Sequence, residues 1–184
     1  YGEGNFGGGN LHFIKWSELA IKSRTIFNNY GGNTDGLGGG LFAEDINFLK
    51  VENNNFSFNQ ATKAGWGGGG AAYVRSSGGS NAVSFAHNHF YRNEISSDIF
   101  AVSSGAGVLV TNSNNVQIVE NIFERQNDFY QDNGLKGSSL YLSEITGFSI
   151  EENTFNGDYG RAVTYIGTWS DGQISKNKWW NNAN

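Results

Sequence analysis

Apolar and polar residues alternate along this chain in short bursts, and one burst returns in a fixed frame. Leu49-x-Val51-x-x-Asn54-x-Phe56-x-x-Asn59 is followed by Val83-x-Phe85-x-x-Asn88-x-Phe90-x-x-Asn93 and by Val116-x-Ile118-x-x-Asn121-x-Phe123-x-x-Gln126. Phe148-x-Ile150-x-x-Asn153-x-Phe155-x-x-Asp158 comes next, then a shortened Ile174-x-x-Asn177-x-Trp179-x-x-Asn182. A weaker copy, Leu19-x-Ile21-x-x-Arg24-x-Ile26-x-x-Asn29, precedes them all. From Phe56 onward the aromatic positions lie 34, 33, 32 and 24 residues apart, a period that belongs to repeat architectures.

A second pattern runs in register with the first. Fifteen and thirteen residues before the aromatic lie Leu41 and Ala43, Val108 and Val110, Leu140 and Leu142, with Leu11 and Phe13 opening the series and Thr164 and Ile166 closing it. Ala72 and Val74 join if residues 76–80 carry a loop insertion. Alternation over four or five residues predicts strands with one face buried, so each copy holds at least two strands. Gly, 27 of 184 residues, and Asn interrupt every stretch that could otherwise be helical. The expected fold is all-β, a single-stranded right-handed parallel β-helix of about six coils. It forms one domain over residues 1–184, with each strand paired to its counterpart one coil away at about 4.8 Å.

Columns follow from that stacking. Phe56, Phe90, Phe123, Phe155 and Trp179 should lie inside, as should Val51, Phe85, Ile118, Ile150 and Ile174. Asn54, Asn88, Asn121, Asn153 and Asn177 should form a structural ladder at a turn, their amides bonded up the stack. In the first strand, His12, Phe42, Tyr73, Leu109, Tyr141 and Tyr165 sit between inward neighbours, so alternation predicts an exposed column and a candidate binding surface. Gly40, Ala71, Gly107 and Ser139 fall two residues earlier, on the side read as outward. Residues 30–40, 60–70 and 94–105 and the charged, aromatic stretch 124–136 are expected to be loops.

The Asn-x-Phe-x-x-Asn rhythm resembles the right-handed parallel β-helix repeat. The pairing of Gly-Gly-apolar with Phe-x-x-Asn resembles the polymorphic outer-membrane-protein repeat of bacterial surface proteins. Its best local matches are Phe56-Ser-Phe-Asn59 followed by Gly67 to Tyr73, Ile26-x-x-Asn29 leading to Gly38-Gly-Gly-Leu41, and Phe90-x-x-Asn93 leading to Gly105-Ala-Gly-Val108. Gln126, Asp158 and Ser138-Ser139 depart from it. The resemblance implies an extracellular or cell-surface location and a structural or adhesive role. Asn33-Thr-Asp-Gly36 resembles one short polygalacturonase signature, but the paired Asp motif, Gly-His-Gly and Arg-x-Lys of that family are absent.

Composition narrows the chemistry. A net charge of −5 argues against a nucleic-acid partner, which wants clustered Lys and Arg. No apolar run is long enough to span a membrane. The absence of Cys removes disulfides, thiolate metal sites and thiol nucleophiles. No residue is assigned catalytic or metal-binding work and no cofactor is expected, although Glu120, Glu151 and Glu152 stack closely enough to suggest a shared calcium ion. His87 and His89, flanking Asn88, are read as exposed, with Glu120 and Glu52 as vertical neighbours. The expected function is a non-enzymatic surface rod or adhesin that binds a glycan, another surface protein or copies of itself end to end or laterally. The alternative is a polysaccharide-active lyase or hydrolase, or a carbohydrate-binding β-helix, for which Arg75 beside Glu44 is the motivating pair.

Overall fold

The computed structural model describes residues 3–6, 11–35, 37–63, 68–77, 81–97, 105–128, 137–157, 161–166 and 171–181. Every regular element among them is a β-strand, and every pairing between strands is parallel. The strands form four ladders. The first runs through Leu11–Ile14, Leu41–Glu44, Ala72–Arg75, the start of Val108–Val119, the start of Gly137–Glu151, and Arg161–Ile166. The second takes Glu18–Lys22, Phe48–Glu52, Ala82–Ala86, the ends of the same two long strands, and Gly172–Ser175. The third stacks Thr25–Phe27, Asn55–Ser57, His89–Tyr91, Ile122–Glu124, Thr154–Asn156 and Lys178–Trp180. The fourth joins Glu3–Phe6, Tyr30–Asp35, Gln60–Lys63, Glu94–Ser97 and Asn127–Asp128.

The chain is thus an all-β, right-handed parallel solenoid. Four successive coils carry all four ladder strands, and the next two extend only the first three ladders among the described residues. The expected six coils therefore resolve into four complete ones and two partial ones. The fourth strand was the one hidden inside presumed loops. Gln60-Ala-Thr-Lys63 and Glu94-Ile-Ser-Ser97 lack the apolar alternation of their neighbours, so only the pairing reveals them.

The lumen holds the repeat's apolar positions. Phe56, Phe90, Phe123 and Phe155 are fully buried and stack face to face at centroid distances of 5.1, 4.7 and 4.9 Å. Trp179 continues the column at 4.5 Å from Phe155, yet it is 49 % exposed, and Ile174 is 55 % exposed. Both occupy the last coil, where no described strand lies above them. Such offset ring stacking adds about 0.5–1.5 kcal/mol per pair beyond burial.

Two register expectations fail. In the last coil Val163 and Tyr165, not Thr164 and Ile166, pair with Leu140 and Leu142, because the ladder shifts at a bulge between Gly137 and Leu140. Tyr165 therefore stands outside the His12 to Tyr141 row. Gly40, Ala71 and Gly107, read as outward, are buried. A Cβ on Gly40 would lie 2.9 Å from the Ile26 side chain and 3.2 Å from that of Asn59, and one on Gly107 would lie 3.0 Å from the Phe123 ring. The cause is the positive φ at Gly38, Gly69 and Gly105 (64°, 66° and 68°), which turns a corner that simple alternation cannot follow.

Candidate functional site

Buried Asn amides, hydrogen-bonded from coil to coil, form continuous polar columns among the described residues. At each corner between the second and third ladders, one residue adopts the left-handed conformation: Ser23, Asn53, His87, Glu120, Glu152 and Lys176, with φ between 53° and 57°. The residue after it is the ladder Asn, or Arg24 at the first corner, so the unusual dihedral sits one position before the ladder residue rather than on it. The first five of these corner residues donate their backbone N–H to the coil above, as Glu120 does to the Glu151 carbonyl at 3.0 Å. Reversing direction there aims the next side chain into the lumen.

Asn121 shows the resulting pattern. Its Nδ2 donates to the Phe85 carbonyl at 2.8 Å and to Oδ1 of Asn153 at 3.0 Å. Its Oδ1 accepts from the backbone N–H and Nδ2 of Asn88 at 2.9 and 3.0 Å. Asn54, Asn88 and Asn153 repeat this arrangement, and Asn177 donates to the Ile150 carbonyl at 2.7 Å. At the lower end Arg24 has no side-chain amide, and its backbone N–H alone bonds Oδ1 of Asn54 at 3.0 Å.

A second ladder, not recognised as one from the sequence, lies at the next corner. Asn29 donates to Asn59 at 2.8 Å, Asn59 to Asn93 at 2.9 Å, and Asn93 to Oε1 of Gln126 at 3.1 Å. All four are buried. Its signal was the terminal Asn of Phe-x-x-Asn, and a Gln substitutes because its longer amide still reaches the Phe90 carbonyl at 2.7 Å.

The outward column of the first strand is not the exposed stripe expected. Phe42 is 3 % and Leu109 7 % exposed, while Tyr73 and Tyr141 are half-buried and His12 is open. Rings pack along it: His12 edge-on to Phe42 at 4.8 Å, and Phe42 stacked on Tyr73 at 5.7 Å with planes 3° apart. The Arg75 guanidinium lies over Phe42 at 5.5 Å and pairs with Glu44 at 3.1 Å. Burial raises the Tyr73 hydroxyl pKa. The Arg75 pKa is also raised: burial opposes its charge, but the Glu44 carboxylate outweighs that. These contacts stabilise strand on strand.

Charged side chains pair vertically along the outside. Lys22 meets Glu52 at 3.0 Å, and hydrogen bonds from Lys50 and then Lys22 hold that carboxyl below the usual range. Lys176 meets Glu152 at 2.8 Å, with the same effect on Glu152. His87 lies 3.2 Å from Glu120, and His89 lies 3.5 Å from Glu124. Glu52 pairs in register with Ala86, so it is not the vertical neighbour of His87. No group of three or more His, Asp or Glu that could hold a metal ion exists among the described residues.

One exposed aromatic cluster was absent from the sequence reading. On the corner between the third and fourth ladders, Phe27 packs edge-on against Phe58 at 5.6 Å and Phe58 against Tyr91 at 5.4 Å. The guanidinium of Arg92 stands 5.3 Å from the Tyr91 ring and 6.0 Å from Phe58. Strands of three residues leave too little alternation to reveal this ridge. Comparisons with protein-family models, with curated proteins and with solved structures found no match to the chain.

Proposed function

We propose that this chain works as an extracellular or cell-surface β-helical rod, structural or adhesive, without chemistry of its own. One observation carries the reading: the amide columns that the fold buries, Asn54 to Asn177 and Asn29 to Gln126, spend their hydrogen bonds on the coils above and below them. A groove enzyme instead aims its ordered polar groups at a reacting atom.

The resemblance to the surface-protein repeat supports the location. Its two half-motifs have a joint physical rationale here. Gly40, from the Gly-Gly-apolar half, lies against Ile26 and Asn59 of the Phe-x-x-Asn half, with no room for a Cβ between them. The second reading, a polysaccharide-active protein, is favoured by the Arg75 and Glu44 pair on adjacent outer strands. That pair supplies one carboxylate, already neutralised, where glycoside cleavage calls for two.

Incubating the protein with uronate and neutral polysaccharides, with and without calcium, separates the two readings. The rod should release no unsaturated or reducing ends. Turnover that disappears in Glu44→Gln would overturn the proposal. On intact cells expressing the protein, antibody against the chain should bind without permeabilisation.

A further inference from the structure

We propose that the ridge formed by Phe27, Phe58, Tyr91, Arg92 and Arg125 is a binding surface for an anionic glycan. The proposal supplies a site for the adhesive part of the reading above, and its failure would leave the rod itself standing.

Exposure is the first reason. Phe27 is 54 % and Phe58 41 % exposed, although a rod could bury such rings or replace them at no cost to its lumen. Exposed aromatic clusters mark contact surfaces. Phe58, Arg92 and Arg125 occupy successive left-handed corners, with φ of 55°, 48° and 56°. Their side chains thus project from the rod's edge at the coil repeat of about 4.8 Å.

Charge is the second reason, and it selects the partner. Arg92 makes no ion pair among the described residues; its guanidinium contacts are the Tyr91 and Phe58 rings. Among the described residues Arg125 pairs only with its own neighbour Glu124, at 3.9 Å, and Glu124 also faces His89 at 3.5 Å. A guanidinium held beside rings and paired with no carboxylate keeps N–H donors free, and their fork geometry matches carboxylate or sulfate oxygens. Rings beside it offer flat apolar faces to the C–H side of a pyranose. The site is a ridge rather than a pocket, so it suits an extended chain lying along the rod axis and meeting Arg92 and Arg125 one coil apart.

A second copy packed by two-fold symmetry on this ridge would set its arginines near their own counterparts. Nucleic acid needs a broad positive field, which a chain of net charge −5 does not provide. A glycan with one acidic group per sugar needs only the local pair.

The test is affinity electrophoresis of the whole chain through gels containing polygalacturonate, dextran sulfate, dextran or poly(dT). Expected is retardation by polygalacturonate, by dextran sulfate or by both, and none by dextran; the responding polymer tells carboxylate from sulfate. The Arg92→Gln/Arg125→Gln double variant and Phe58→Ser should each weaken binding at least tenfold. The double variant should keep the parent's thermal midpoint, which separates lost binding from lost fold. Free migration in both acidic gels would overturn the proposal. So would undiminished binding by the double variant, or tighter binding to poly(dT) than to either acidic glycan.

Discussion

At the scale of single residues, the corner before each ladder Asn shows backbone conformation imposed by the stack rather than chosen by the side chain. Ser23, Asn53, His87, Glu120, Glu152 and Lys176 share no chemistry, yet all adopt φ near 55°, a conformation that costs a non-Gly residue roughly 1–2 kcal/mol. Hydrogen bonds of the following amide offset that cost. Asn121→Ala should therefore destabilise by about 1–3 kcal/mol, because it removes the amide that donates to the Phe85 carbonyl and the acceptor that the Asn88 backbone N–H and Nδ2 share. Gln117→Ala, on the outward face of the same coil, should shift the thermal midpoint little. Glu94 offers a test in pH. Its burial raises the carboxyl pKa above the ordinary 4.5, so its contribution is full below that value and is lost as pH rises through the folded-state pKa. Glu94→Gln retains an acceptor for Gln60, whose Nε2 donates to Glu94 at 3.1 Å. The variant should be more stable than the parent at neutral pH by a few tenths of a kcal/mol after solvent screening. That advantage should vanish below the ordinary glutamate range, as denaturant melts at two pH values would show.

At the scale of elements, what was legible in the sequence was whatever repeated with a period and alternated. Asn54 to Asn177 and the Phe56 to Trp179 column were readable because their spacing is locked to the coil. The second ladder was present in the motif, but Asn29, Asn59 and Asn93 were not seen as an amide column because a Gln and an Asp follow them. The fourth strand was illegible, since Gln60-Ala-Thr-Lys63 resembles a loop until Glu94–Ser97 pairs with it. The Phe42 column was misjudged because alternation reports which face of a strand a residue occupies, not whether that face meets water. Glycine carries the remaining lesson. A Cβ on Gly39 would lie 2.5 Å from the Gly70 carbonyl oxygen and 2.6 Å from the Gln60 backbone, so Gly39→Ala should force strands apart and cost roughly 1–3 kcal/mol. An unchanged urea midpoint for Gly39→Ala would show that the first and fourth ladders are not packed this closely.

At the scale of the whole molecule, the coils form a one-dimensional stack in which each touches only its neighbours, so stability should be highest in the middle and decline toward both ends. The structure already grades this way. Asn88, Asn121 and Asn153 are at most 1 % exposed, whereas Trp179 and Ile174 in the last coil are about half exposed. The surface-rod account depends on those buried amides being occupied with one another along the axis. Hydrogen exchange of the Asn side-chain Nδ2 protons, followed by NMR residue by residue, measures that directly. The account predicts strong protection at Asn88 and Asn121, decreasing through Asn153 to Asn177. Nδ2 protons at Asn88 and Asn121 that exchange as fast as those of an exposed Asn would contradict it.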